Sequence, residues 1–374
     1  MLLSRAIKRL LSTRYPSFLF GMPLRAHEIP VFIYHDVEVE SFTADLQFLT
    51  ENRYRTLSTE EFVGAIRGGA PDRCVLLTFD DARRNFFDVA FPLLQQYGIK
   101  ATLFAPTYWV RGSSDGAGQA GGNVSPRDLF MNWEQLRRCK QCGLVDVQSH
   151  AHRHALVYTS EQLIGFASPE LLKRQHLYDW PMRWDGQADV LGPPPVGTPI
   201  YVADPLLSAP YRILEDPELT RICQETVARE GGEAFFSRAD WRTRLRKAHR
   251  DMRQRLPGAK RLTGKRFEEL LASEFLSTQR LFESELGGRV RYLAYPWMLG
   301  SAPSLKLAAE AGIEAVFGVG LDYRRAQKMN GPLPAFGRIK GEWLRFLPGR
   351  GRARLGEVVP GKIKGLLRNQ HLAH

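Results

Sequence analysis

From Ile29 onward, short continuous apolar runs alternate with segments of helical period along this 374-residue chain. The runs at 30–35, 74–79, 101–105, 144–148, 290–295 and 315–319 are five or six residues long and largely apolar, with Asp146, Gln148 and Arg291 as charged or polar interruptions. Such runs predict strands buried on both faces, as in a parallel sheet. Helical patterns fall between them, at 42–52, 59–67, 133–142 and 304–311. In one of them Phe87, Ala90, Phe91, Leu94 and Tyr97 recur at three- and four-residue spacing, and Gly98 stops the pattern where a helix C-terminal glycine belongs. The rhythm is that of an α/β domain.

Three regions break it. The stretch 111–125 is Gly/Ser-rich and predicts a mobile loop; 192–199 contains three consecutive prolines and must be extended. From about 159 to 280 the chain departs from the strand-helix rhythm, which predicts an insertion within a domain spanning 29–340. Before the domain, residues 1–28 place Leu2, Leu3, Ala6, Ile7, Leu10 and Leu11 at helical spacing, with Arg5, Lys8, Arg9 and Arg14 between them. That pattern suits a helix lying at a membrane interface or one packed on the domain. Lys8 and Arg9 interrupt what would be a signal-peptide core, and no run of eighteen apolar residues exists. A cytoplasmic or inner-membrane-surface location is therefore expected.

The chain carries a formal net charge of +12, unevenly placed. Residues 237–266 hold twelve Lys and Arg against two acids, and 338–374 hold nine against two, so the remainder is net acidic. The basic segments, including the tail 341–374 with Lys362, Lys364 and Arg368, fit a solvated helix face or contact with an anionic membrane surface or glycan. They lack interleaved aromatics, and no nucleic acid partner is expected. Four cysteines at 74, 139, 142 and 223 do not make a disulfide framework in so long a chain. Cys139 and Cys142 fall on a predicted helix, where spacing of three is commonplace, and read as structural.

Candidate chemistry sits where the strands end. Asp80 and Asp81 close the run at 74–79, and 144–148 is followed closely by His150-Ala151-His152-Arg153-His154. Neighbouring strand residues face opposite ways, but a chain that turns at a strand end can bring both carboxylates into one cavity. One could then ligate a metal while the other takes a proton. His150 and His154 lie on one face of a helical turn or at the two ends of a compact loop, and imidazole suits zinc and other transition metals. At a third strand end Pro296 rigidifies the turn Tyr295-Pro296-Trp297, which could aim a backbone N–H into the cavity.

The blocks Thr78-Phe79-Asp80-Asp81, His150-Ala151-His152-Arg153-His154 and Ala294-Tyr295-Pro296-Trp297, in that order, resemble the signature blocks of the polysaccharide deacetylase family, also called the NodB-homology or carbohydrate esterase 4 family. Residues 33–37, 97–104 and 333–339, the last with Arg338, resemble its opening, post-motif and closing segments. The similarity covers about 30–160 and 275–340. It implies a distorted (β/α) barrel of the NodB-homology type, here with a large, mostly helical and loop insertion. It also implies Asp80 as catalytic base, with Asp81, His150 and His154 as ligands of a divalent metal, zinc by preference. The chain departs from the family at Ala82, where glycine is common, and at Ala151, where a hydroxyl residue braces the loop. No Arg-x-Pro block and no late Leu-x-His block are present, which leaves the general acid unassigned.

The expected reaction is hydrolysis of an N-acetyl, or less often O-acetyl, group on a polysaccharide or lipid-linked sugar. Asp80 activates a metal-bound water, the Tyr295 N–H assists the oxyanion, and Asp80 or His35 protonates the leaving amine. A deformylase, a cyclic-amide hydrolase and a non-catalytic glycan-binding or scaffold module are the alternatives.

Overall fold

The computed structural model describes residues 16–25, 27–69, 71–110, 129–318 and 332–353. Eight strands form the main sheet: β1 (Val31–Tyr34), β2 (Cys74–Phe79), β3 (Ala101–Ala105), β4 (Val145–Ser149), β5 (Tyr292–Ala294), β6 (Ala315–Phe317), β7 (Ala335–Phe336) and β8 (Ile339–Lys340). Every pairing between them is parallel, in the order β7-β6-β5-β4-β3-β2-β1-β8, with the short strand Arg55–Thr56 added beside the start of β2. The two outermost strands, β7 and β8, are separated in the chain by Gly337 and Arg338 alone. So short a link spans about 10 Å at most, so the sheet curls until its two edges adjoin. The result is the distorted barrel.

Both faces of the strands are apolar, with a period of two. Val31, Leu76, Phe104, Tyr292 and Phe317 gather with Phe336 on the concave face, where the rings of Phe104 and Phe317 meet at 5.4 Å across the intervening strands. Phe62, from the helix at Thr59–Gly68, closes this interior against Phe336 at 4.8 Å. The alternate residues Phe32, Leu77, Leu103, Val147, Leu293 and Val316 point outward, into the core shared with the surrounding helices. Those helices are α1 (Val39–Glu51), α2 (Thr59–Gly68), α3 (Phe91–Tyr97), α4 (Trp133–Gln141), α5 (Gly264–Leu286) and α6 (Ala302–Glu310). Capping boxes at Ser58/Glu61 and Asn132/Gln135 start α2 and α4. Gly98, at φ 63, ends α3 as its position in the sequence predicts. The expected start of that helix at Phe87 is instead a π-turn over Phe86–Ala90.

The expected insertion carries strands as well as helices and loops. Towards its end helix α5 begins at Gly264 and buries Phe267, Leu271, Phe275 and Phe282 in the main core. The inserted part is built on a long antiparallel ribbon of Leu156–Phe166 with Pro199–Pro205. Helices Pro217–Arg229 and Trp241–Arg253 close a small separate core of Phe166, Cys223, Val227, Phe235, Trp241 and Leu245. Where the proline-rich segment crosses the first of these helices, Gly197 has φ +88, and a Cβ there would stand 2.8 Å from Val227 Cγ2.

In the basic segment Arg238 and Arg244 pair with Glu230 and Asp240, while Arg242, Arg246 and Arg250 stand exposed. Cys139 and Cys142 sit at the end of α4, with the Cys142 thiol bonded to the Cys139 carbonyl, away from the strand ends. The amphipathic start at 2–14, the Gly/Ser-rich loop 111–125 and Lys362, Lys364 and Arg368 lie outside the described residues. Among the described residues no helix is long and apolar enough to cross a membrane.

Candidate metal centre and its cleft

The carboxyl ends of β2 and β4 deliver the chemistry. The Asp80 N–H still pairs with the Tyr34 carbonyl at 3.0 Å, as a strand residue would. The chain then turns at once, with Asp81 at φ 74 and Ala82 at φ 48. These left-handed residues swing Asp81 to the side that Asp80 already faces. On β4 the His150 N–H pairs with the Ala105 carbonyl, and positive φ at Ala151 (62) and His154 (49) folds the next residues into a compact loop rather than a helical turn.

Asp81, His150 and His154 thereby converge, all three buried. Asp81 Oδ1 lies 3.5 Å from His150 Nε2 and 3.6 Å from His154 Nε2, and has no hydrogen-bond partner of its own. Ligands bonded to zinc at roughly 2.0–2.1 Å with tetrahedral angles stand about 3.4 Å apart, so the spacing suits such an ion. The donor chemistry fits as well. Burial pushes both imidazoles below their ordinary pKa, His154 to about 3, so both are neutral near pH 7. His150 Nδ1 lies 2.8 Å from the Ala294 carbonyl and can only donate to it, which leaves the Nε2 lone pair facing the cavity. Among the described residues no other group of three or more His, Cys, Asp or Glu is placed to hold a metal ion.

Asp80 occupies the remaining side, its Oδ2 3.5 Å from His150 Nε2. It is locked by Arg338, from the two-residue link between β7 and β8, through bonds of 2.6 and 2.8 Å to its two oxygens. Burial alone would raise the Asp80 carboxyl. The guanidinium, helped by His150 and His35, overrides that and holds it at about 2. Asp80 is therefore an ionised, oriented carboxylate. Arg83 bridges Asp81 Oδ2 (3.2 Å) and Asp36 (2.8 Å) at the rim.

A cleft of about 550 Å³ opens over these groups. His154 is flanked by the rings of Tyr178 (4.3 Å) and Trp297 (4.2 Å), and the Tyr178 hydroxyl donates to the Asp81 carbonyl. Tyr178 comes from the insertion, which so forms one wall of the cleft. A further cavity of about 290 Å³ shares Asp36, Arg83, His176 and Tyr178 and lengthens the opening.

Residues 67–174 match the family model described as polysaccharide deacetylase. The poly-β-1,6-N-acetyl-D-glucosamine N-deacetylase of Escherichia coli strain K12 is 31% identical over 116 residues, covering 30% of this chain and 17% of that protein. Its namesake from Staphylococcus epidermidis is 30% identical over 150 residues, 38% of this chain and 48% of that one. The match to the polysaccharide deacetylase model is thus confined to residues 67–174, which hold Asp80, Asp81, His150 and His154. It spans less than half the length of each of these two relatives. A solved de-N-acetylase from Aggregatibacter actinomycetemcomitans aligns with a TM-score of 0.52 at 16% identity, over 83% of this chain and 94% of that one. The BpsB deacetylase domain of Bordetella bronchiseptica aligns with a TM-score of 0.50 at 17% identity, over 78% and 88%. These two establish that the barrel is of the deacetylase type.

Set in that fold, the departures from the deacetylase pattern acquire physical readings. Ala82 adopts the left-handed conformation for which glycine is the easier residue, at a cost of about 1 kcal/mol. The expected role of Tyr295 does not survive: its N–H is spent on the Phe317 carbonyl at 3.0 Å, and its phenol is buried against Ser304 and Gly300. Tyr295 is a structural plug. His35 stands exposed at the cleft mouth, within electrostatic reach of Asp80. Reading the sequence alone missed the Arg338 pairing with Asp80 and the Tyr178 wall; Arg338 could be noticed there only as part of the closing segment.

Proposed function

We propose that this protein is a metal-dependent hydrolase that removes N-acetyl groups from a glycan, with a poly-N-acetylglucosamine-type polymer or a lipid-linked amino sugar as substrate and O-acetyl esters as the lesser alternative. One observation carries the reading. A buried, partnerless Asp81 oxygen faces two neutral imidazole nitrogens at tetrahedral-edge spacing, while a second carboxylate, held ionised by arginine, stands beside it. The names of the relatives supply the substrate class.

Asp81, His150 and His154 would hold the cation, which when bound supplies Lewis-acid polarisation of the acyl oxygen and a lowered pKa for water. The remaining work falls to the chain's own groups. Asp80 accepts the proton of the attacking water, and Arg338 keeps its carboxylate ionised and aimed. A carboxyl held at about 2 gives that proton up readily, which suits its return to the leaving amine; His35 at the mouth is the other donor within reach. Tyr178 and Trp297 wall the cleft and shield the reacting groups from water. The exposed stripe Arg242, Arg246 and Arg250 is proposed to contact an anionic membrane surface, for which salt-sensitive pelleting with anionic vesicles is the test.

The decisive experiment is acetate release from N-acetylated β-1,6-linked glucosamine oligomers by zinc-loaded protein, with and without chelator. Chelator-sensitive release is expected. A zinc-replete protein that releases no acetate from N- or O-acetylated glycans would refute the proposal and favour deformylation, cyclic-amide opening or a binding role.

A further inference from the structure

We infer that Glu274, on the barrel helix α5, is a positioning residue for the metal centre: it holds the loop between His150 and His154 in the conformation that turns both imidazoles toward Asp81. The inference rests on the metal-centre reading above.

The polar groups of this loop are accounted for one by one. The Ala151 N–H donates to Ser149 Oγ at 2.9 Å. The carbonyls of Ala151 and His152 accept from the N–H groups of Thr107 (3.3 Å) and Tyr108 (2.9 Å), and that of Arg153 accepts from the Trp109 indole at 2.8 Å. Two N–H groups are left, those of His152 and Arg153. Both donate to one oxygen, Glu274 Oε2, at 3.1 and 2.8 Å. The other carboxylate oxygen accepts from Arg153 Nη1 at 2.6 Å. One turn further along α5, Thr278 Oγ1 lies 3.4 Å from Thr107 Oγ1, which in turn meets His152 Nδ1 at 2.8 Å.

Glu274 is 1% exposed, and its inward neighbours on α5 are Leu271, Phe275 and Phe282. A helix that needed only to pack would carry an apolar residue there, because a buried carboxylate is costly unless fully bonded. The two N–H groups it binds follow the left-handed Ala151, an arrangement in which successive amides form a concavity for an anion. Ala151 has no hydroxyl with which to brace the loop from within, so Glu274 braces it from outside. A loop with left-handed, non-glycine residues at Ala151 and His154 persists only where its surroundings hold it.

The test is zinc affinity, measured by competition with a chromophoric chelator, for the full chain and its Glu274→Ala and Glu274→Gln variants, beside thermal melts of the metal-free proteins. Glu274→Ala should bind zinc about 10- to 100-fold more weakly. Glu274→Gln, which keeps an acceptor oxygen, should lose less, and it carries the test if the alanine variant does not fold. A residue that merely pins α5 to the barrel would lower the melting temperature and leave the zinc affinity of the folded protein unchanged, and that result would overturn the inference. A wild-type chain that binds no zinc would overturn the metal-centre reading and this inference with it.

Discussion

Replacing Arg338 with methionine removes the cation that keeps Asp80 ionised while filling most of its space. The two side chains are 0% and 3% exposed, so water cannot stand in for the lost guanidinium. Held at about 2 rather than 3.8, the Asp80 carboxyl contributes about 2 kcal/mol to folding near neutral pH. Because the folded-state pKa is the depressed one, that contribution is complete above about pH 4 and is lost as pH falls from there toward 2. Without Arg338, burial becomes the dominant influence and drives the carboxyl upward. A buried charge stripped of its partner costs about 3–5 kcal/mol, and denaturant unfolding at pH 7 should fall by that order. Catalysis provides the sharper assay. The acid limb of kcat/KM that Asp80 governs should move toward neutrality, each unit of upward movement past the working pH costing about tenfold in ionised base. An Arg338→Met enzyme with wild-type activity at pH 6 and an unmoved acid limb would refute the reasoning, either because Asp80 is not the base or because Arg338 is not what keeps it ionised.

Other outcomes follow from the same geometry. His150→Ala and His154→Ala should lose zinc, whereas Asp80→Asn should keep it and lose about 10²–10⁴-fold in turnover; metal analysis beside acetate release separates the roles, and equal zinc content in all three would contradict them. Gly341→Ala would place a Cβ 2.1 Å from the Tyr34 ring, itself stacked on Phe79 and bonded to Asp45, so a loss of about 1–3 kcal/mol is expected in denaturant unfolding. Glu215, in the insertion, is pushed up to about 7 by burial and leaves one carboxylate oxygen unpaired. Its raised folded-state pKa means stability is full below about pH 4.5 and declines as pH rises through 7, by up to about 3 kcal/mol. Glu215→Gln should flatten that decline, and an unchanged pH dependence of unfolding would count against it.

Six of the eight strands were legible as short, largely apolar runs, and Cys74–Phe79 and Ala101–Ala105 fall where the sequence predicts them, whereas the two-residue strands β7 and β8 are too short to leave a pattern. Helix α5 straddles the expected end of the insertion at 280 and is harder to read. Its buried face carries Glu274, Thr278 and Gln279 among the hydrophobes, which blunts the pattern that marks a barrel helix. The oxyanion role expected for Tyr295 failed because a strand-end N–H looks free until the partner strand is known, and here Phe317 takes it.

Local order and periodicity in the chain were enough to determine an α/β domain and the strand ends that carry Asp80, Asp81, His150 and His154, and resemblance suggested the chemistry proposed above. What only the folded molecule decided was proximity. Arg338 reaches Asp80 across 258 positions, Glu274 reaches the ligand loop from a helix beyond the insertion, and Tyr178 comes out of the insertion to wall the cleft. Such contacts depend on the curl that brings β7 and β8 together and on the directions in which distant elements pack, and side-chain spacing along a chain encodes neither.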